Sequence, residues 1–165
     1  MRIKLVFILG LLLSIGSCQQ QNHVFSEFKS VGGKWHKNDS LSFIFSPKDT
    51  LQTHDVYIQL RNNFEYEFKN IFLISSISFP NGKVIVDTLE YPMAYNDGRF
   101  MGKGTNVIEN KLWLKEQVRF NEIGDYEFKL QQACRKTGEV EPITELKGIL
   151  DVGIQIEEIQ VKNEK

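Results

Sequence analysis

Residues 70–91 read NIFLISSISFPNGKVIVDTLEY, and how this stretch folds decides the class of the whole chain. Its first half, NIFLISSISF, is almost continuously apolar and rich in β-branched and aromatic side chains, as a central strand of a sheet requires. The run stops at Phe79-Pro80-Asn81-Gly82-Lys83. Asn-Gly between two strand-like runs is the preferred pair for a two-residue type I′ hairpin, where both central residues need positive φ. The returning strand is KVIVDTLEY. Pro80 then falls at a strand end, where its missing N–H is tolerated.

The same period of two extends outward in both directions. SLSFIFS places Leu41, Phe43 and Phe45 on one parity, and DVYIQLRN does the same for Val56, Ile58 and Leu60. Tyr91 to Asn110 reads as a long irregular connection with Pro92, Gly98, Gly102 and Gly104. After it, KLWLKEQVRF puts Leu112, Leu114, Val118 and Phe120 in phase. GDYEFKLQQACRK aligns Tyr126, Phe128, Leu130 and Cys134, and GILDVGIQIEEIQ aligns Leu150, Val152, Ile154 and Ile156. No segment carries a sustained helical period with caps. About seven to eight short strands with turn signals between them predict an all-β fold, an antiparallel two-layer β-sandwich. IGDYEF sets Gly124 and Asp125 before Tyr126 at the start of a late strand, the setting of a tyrosine corner, which points toward an immunoglobulin-like variant. A simple turn followed by a core tyrosine would read the same way.

The N-terminus has a different character. Arg2 and Lys4 precede LVFILGLLLSI (residues 5–15), the charged and apolar regions of a secretory signal. The apolar run is shorter than the roughly 20 residues that span a bilayer as a helix. It ends in Ile15-Gly16-Ser17-Cys18, which resembles a bacterial lipobox: an aliphatic residue, two small residues, then cysteine. In such signals the cysteine thiol receives a diacylglycerol, the peptide bond before it is cut, and fatty acyl chains such as palmitate hold the protein on the membrane. The expected organisation is a lipoprotein signal peptide over 1–17, a lipidated polar tether over 18–29, one sandwich domain over 30–160 and a polar tail over 161–165. Cys18 is the expected lipidation site.

Composition narrows the chemistry. Of 20 basic and 21 acidic residues, Arg2 and Lys4 lie in the signal, so the rest of the chain carries about three net negative charges and no basic field for nucleic acid. With Cys18 lipidated, Cys134 has no disulfide partner in the chain, and its parity predicts a small buried hydrophobe rather than a nucleophile. GRFMGKGT contains Gly98, Gly102, Lys103 and Thr105, but three residues rather than four separate the glycines and Gly104 follows the lysine. The phosphate-loop spacing is therefore missed, and a flexible loop is expected. His23, His36 and His54 are dispersed without metal-ligand spacing. No Gly-x-Ser-x-Gly elbow occurs and the carboxylates are scattered, so no enzyme, no cofactor and no metal is expected. The aromatics remain. Trp113 lies on the parity opposite Leu112 and Leu114, which is compatible with an outward position, but two-layer domains also bury Trp on either side of an irregular sheet, and burial is the expectation. Exposed, a flat patch made with Trp35 would suit sugar stacking, and a protein anchor is the other use.

Taken together, FPNGKVIVDTLEYPMA, DGRFMGKG, ENKLWLKEQVRF, GDYEFKLQQA and LKGILDVGIQIE, in that order and behind the lipobox, resemble the gliding motility lipoprotein GldH family of Bacteroidetes. The resemblance runs from about Trp35 to Glu157. It implies an outer-membrane lipoprotein needed for gliding over surfaces, working beside the machinery that moves adhesins and exports proteins by the type nine secretion pathway. It implies partners among cell-envelope motility and secretion proteins, and carries over no residue except the lipidated Cys18. Lipoproteins of this phylum that reach the cell exterior commonly carry acidic residues soon after the cysteine. Here Gln19-Gln20-Gln21-Asn22-His23 follows and the first acid is Glu27, so a periplasm-facing domain is expected. The alternative function is a glycan-binding outer-membrane lipoprotein.

Overall fold

The computed structural model describes residues 23–159. Its strands are β1 (His23–Ser30), β2 (Lys34–His36), β3 (Leu41–Phe45), β4 (Thr53–Asn62), β5 (Asn70–Ser78), β6 (Val84–Pro92), β7 (Ile108–Arg119), β8 (Tyr126–Gln132), β9 (Glu145–Lys147) and β10 (Ile149–Glu158). Among the described residues there is no helix. All pairings are antiparallel. One four-stranded sheet has the order β1-β10-β4-β7 and the other β3-β8-β5-β6, while β2 and β9 form a short ribbon. This is the expected all-β antiparallel sandwich: eight strands make its two layers, and the ribbon adds Trp35 and Leu146 to the core between them.

Alternation produces the core directly. On β5 the buried positions are Ile71, Leu73, Ser75 and Ile77, and on β8 they are Tyr126, Phe128, Leu130 and Gln132. These side chains meet Val56, Ile58 and Leu60 of β4 and Val152, Ile154 and Ile156 of β10. Each large apolar side chain among them contributes roughly 1.5–3 kcal/mol by leaving water, whereas Ser75 and Gln132 are polar exceptions. Tyr126 is 2% exposed, stands edge-on to Phe79 and Phe120, and its hydroxyl oxygen accepts the Glu122 N–H at 3.1 Å. A tyrosine tied to backbone four residues upstream is the geometry of a tyrosine corner, and it suggests the immunoglobulin-like variant.

Four local readings differ from the sequence expectation. The 79–83 hairpin has a three-residue loop, not a two-residue type I′ turn: the Gly82 N–H donates to the Phe79 carbonyl at 2.9 Å, and Phe79 and Lys83 close the ladder at 2.8 Å. Pro80 is the cause, because its fixed φ suits the first central position of an ordinary turn and leaves the left-handed conformation to Gly82, at φ +85°. In β10 a bulge between Ile149 and Asp151 shifts the phase, so that Ile149 is fully buried and Leu150 only half-buried. Part of the expected tether is sheet: from His23 onward the chain is β1, paired with β10, because Phe25 and its neighbours find an open edge to cover. Cys18, residues 1–17, the tether up to residue 22 and the tail over 161–165 lie outside the described residues. The 91–110 connection is shorter than expected, since β6 runs to Pro92 and β7 starts at Ile108, and backbone bonds organise what lies between.

Strand β7 also carries two irregularities that cancel. Its pairing with β4 slips by one residue between His54 and Val56 and again between Val56 and Tyr57. A one-residue slip exchanges the faces of a strand, so a second slip restores them. Leu112 before the slips and Phe120 after them thus share the inner face, and Leu114, the unpaired residue at the first slip, is buried as well. Gln117, at φ +50°, takes up the distortion, and its N–H donates to Asp55 Oδ1 at 2.9 Å.

The strand ends sort into two poles. The start of β1, the end of β10, the 46–52 connection, the 79–83 hairpin and the 120–125 connection gather at one, tied together by Ser46 to Asp125 (2.5 Å) and Asn81 to Glu122 (2.6 Å). Loops 63–69 and 93–107 lie at the other, together with the β8–β9 connection.

Candidate functional site

The register of β4 against β7 and β10 writes the outer face of the first sheet as a grid. Tyr57 lies opposite Trp113 and Gln155, Gln59 opposite Lys111 and Gly153, and Arg61 opposite Glu109 and Asp151. The Tyr57 and Trp113 rings meet at 4.4 Å between centroids, and Lys111 Nζ sits 3.8 Å above the Tyr57 ring. Lys111 also pairs with Glu157 at 2.7 Å, which accepts a bond from Gln155 Nε2 at 2.6 Å, and Gln155 Oε1 accepts one from Gln59 Nε2 at 2.6 Å. Arg61 repeats the theme one row along: its guanidinium lies 4.2 Å over the Phe28 ring and bonds Glu109 at 3.0 Å. Burial beneath Trp113 and Lys111, together with the Asp55 and Glu157 charges, pushes the Tyr57 hydroxyl up to about 12. It therefore stays neutral at physiological pH.

One wall of this face is the 93–107 loop. Its glycines have a packing role, in place of the phosphate-binding pattern they nearly match. A Cβ on Gly102 would lie 2.5 Å from Asn110 Oδ1 and 2.6 Å from the Glu109 carbonyl, and one on Gly104 would lie 1.9 Å from the Val107 carbonyl. Lys103 and Glu109 exchange backbone bonds at 2.9 and 2.7 Å, so the expected flexible loop is a pinned one. Its root is a buried polar pair: Asn110 Nδ2 donates to Asn62 Oδ1 at 2.8 Å and to the Leu60 carbonyl at 3.2 Å. The sequence showed nothing of this pair, because two asparagines 48 residues apart carry no periodic signal.

Between that loop and the sheet runs an open groove of about 610 Å³, lined by Met101, Gly102 and Lys103 on one side and Gln59, Lys111 and Glu157 on the other. Beside it the loop tip is apolar and uncovered. Phe64 is 70% exposed and packs only loosely on Phe100 at 5.9 Å, and Tyr95, Met101 and Val107 are also exposed. Trp113, 46% exposed, borders the same face. Apolar anchors rimmed by interlocked polar groups have the makeup of a protein contact surface.

The other sequence candidates fall elsewhere. Trp35 is fully buried, donating from Nε1 to the Asp39 carbonyl at 2.9 Å, so the two tryptophans form no joint platform. Cys134 is a free buried thiol, as its parity predicts. The Phe72 N–H donates to its Sγ at 3.3 Å, and burial pushes its pKa up, away from thiolate chemistry. His36 lies on β2, while His23 and His54 line one cleft at the β1-start pole. Among the described residues no three His, Cys, Asp or Glu side chains are placed to hold a metal. Asp49, Asp97 and Glu127 are held below the usual carboxylate range, by the Leu51 N–H, by Arg99 and by Ser42 respectively, the opposite of what a general acid needs.

Residues 23–156 match the family model described as GldH lipoprotein. The chain is 44% identical over 153 residues to a gliding motility lipoprotein GldH homolog of Christiangramia forsetii, covering 92% of this chain and 93% of that one. It is 42% identical over 160 residues to the gliding motility lipoprotein GldH of Flavobacterium johnsoniae, covering 96% and 99%. Among solved structures, a family GH115 glucuronidase, BtGH115A, aligns with a TM-score of 0.44 at 14% identity over 89% of this chain, which spans 19% of that enzyme. The VP2 subviral particle of infectious bursal disease virus aligns at 0.35. At those scores neither likeness bears on activity.

Proposed function

The chain belongs to the GldH lipoprotein family, and from that premise we propose that it is a lipid-anchored accessory protein of the gliding apparatus that acts by docking other envelope proteins at the outer membrane. Its role is in gliding motility, as a membrane-attached lipoprotein of the cell envelope. On this reading Cys18 carries the lipid, the domain faces the periplasm, and its partners belong to the motility machinery and the associated type nine secretion pathway. It binds and does not catalyse.

The observation that carries the docking reading is the uncovered apolar tip formed by Phe64, Tyr95, Met101 and Val107, next to the preorganised Lys111, Glu157, Gln155 and Gln59 network. In an interface built this way the polar groups beside the apolar anchors are already held by their mutual bonds, so their share of the ordering entropy is not lost on binding. The glycan alternative loses support with Trp35 in the core, since a lone Trp113 offers one stacking surface rather than a platform. The test is site-specific photo-crosslinking in cells. A benzophenone side chain at Met101 or Trp113 should capture components of the envelope motility machinery, and one at Ile44, on the opposite sheet, should not. Capture of no such component from either position, in cells that still glide, would refute docking at this face. Cys18→Ala should release the chain from the membrane fraction; unchanged retention would refute the anchor.

A further inference from the structure

We propose that the pole bearing the start of β1 rests on the bilayer, with Leu51 and Ile123 seated in the lipid interface, so that the Phe64 and Tyr95 pole points away from the membrane. The inference rests on lipidation at Cys18 and goes beyond it, because an anchor alone does not orient a domain.

Chain length supplies the first argument. Four residues separate Cys18 from His23, and the five chain steps between them, fully extended, reach about 18 Å at most. His23 is therefore held near the membrane surface together with everything at its pole. The ten-residue strand β4 sets the distance to the other pole at about 33 Å. An upright domain puts one pole on lipid and the other well clear of it.

The second argument is what the near pole exposes. Leu51, at 78%, crowns the 46–52 connection, and Ile123, at 64%, crowns the 120–125 connection. Both are apolar tips on short loops held together by the Ser46 to Asp125 bond. Val24, the second residue of β1, is exposed and lines a cleft with Ser46, Lys48 and Asp49 of the 46–52 connection. Lying flat would instead press a sheet's outer face onto lipid. One of those faces carries Arg61, Glu109, Lys111 and Glu157; the other exposes Ile44, Val84 and Val86 but sets the Glu127–Lys129 pair among them, and desolvation of these charges opposes either flat pose.

Charge at the pole leans slightly acidic, with Glu158 at the end of β10 added to the loop residues. Lys48, Lys83 and Arg119 have no carboxylate within 4.0 Å among the described residues, while Asp49, Glu122 and Asp125 are occupied by hydrogen bonds within the loops. Attraction to the surface then comes from the apolar tips, and the tether makes even weak partitioning effective by keeping the local concentration of lipid high.

The experiment uses the full lipidated chain in vesicles of phosphatidylethanolamine and phosphatidylglycerol containing a nitroxide lipid. An environment-sensitive dye is placed on Leu51→Cys, Ile123→Cys or Phe64→Cys, under native conditions that spare buried Cys134. Seating ~5–10 Å into the interface should quench the dyes at 51 and 123 about threefold more than the dye at 64. Because the dye is itself apolar, a second set carries it on Lys48→Cys with and without Leu51→Asp/Ile123→Asp. The double substitution should remove most of the quenching at 48, and 0.5 M salt should not. Equal quenching at all positions, stronger quenching at 64, or none at 51 and 123 in a chain that stays on the vesicles would overturn the orientation. Retention of a Cys18→Ala chain on the vesicles would overturn the anchor reading, and the orientation argument with it.

Discussion

Asn62 and Asn110 offer a sharp test of what holds the 93–107 loop in place. Asn62 is fully buried and Asn110 is 5% exposed. Replacing Asn110 with leucine removes the donor that reaches Asn62 Oδ1 at 2.8 Å and the Leu60 carbonyl at 3.2 Å, and puts nothing polar in its place. Each buried acceptor left unpaired costs ~1–3 kcal/mol, so the single substitution should destabilise the fold by about 3 kcal/mol. With a urea m-value of about 2 kcal/mol/M for a domain of this size, the unfolding midpoint should fall by about 1.5 M. Asn62→Leu should cost a similar amount. The double variant has no orphaned side-chain acceptor between the two sites, so its loss should be smaller than the two single losses combined, by roughly 1–2 kcal/mol. The assay is urea unfolding of all four proteins, read by tryptophan fluorescence. Amide exchange at Lys103 and Glu109 should also accelerate in the single variants, since those residues share the bonds that close the loop. Losses that add to within about 0.5 kcal/mol would refute the reasoning, because they would mean that the two asparagines are stabilised independently.

Gly148 stands at φ +82°, and a Cβ there would lie 2.2 Å from the Tyr66 backbone nitrogen. Gly148→Ala should therefore lower stability by more than the ~1 kcal/mol of a left-handed alanine alone, visible as a drop in Tm of several degrees. His54 is held neutral by burial against Phe45 and Phe120, despite the opposing pull of the Glu158 and Asp49 charges, so its pKa lies below 6.5. The unfolded chain then binds the proton first, and stability should fall as pH drops below about 6.5, until the folded-state pKa is passed. His54→Phe, which also removes the unpartnered Nδ1, should flatten that part of the curve in acid titrations followed by circular dichroism. Cys134 should resist thiol reagents in the native protein and react at a rate that tracks unfolding; prompt native labelling would contradict its burial.

Chain-local chemistry determined a good deal here. Alternation, strict in β5 and β8 and broken in β4 only by Tyr57, buried on the outer face, determined which side chains enter the core, because successive side chains of a strand point to opposite faces. The same logic placed Cys134 inside, whereas for Trp113 burial is the expectation and the finished sheet leaves it exposed. The apolar N-terminal run and the order Ile15-Gly16-Ser17-Cys18, through its resemblance to a lipobox, set the expected membrane address from local sequence. What tertiary structure decided are matters of partners distant along the chain. Trp35 sits on a three-residue strand too short to show a period, and its burial follows from pairing with Leu146, far away in sequence. The bulges of β7 and β10 are set by the strands beside them, and so is the recruitment of residues 23–29 into β1. The groove's loop wall is set by long-range contacts: Asn110 and Asn62 join the start of β7 to the end of β4, and Gly102 of the loop packs on Asn110. Alternation is a property of neighbours in sequence, whereas register, clamps and poles depend on which strand edges remain to be satisfied once the core has closed.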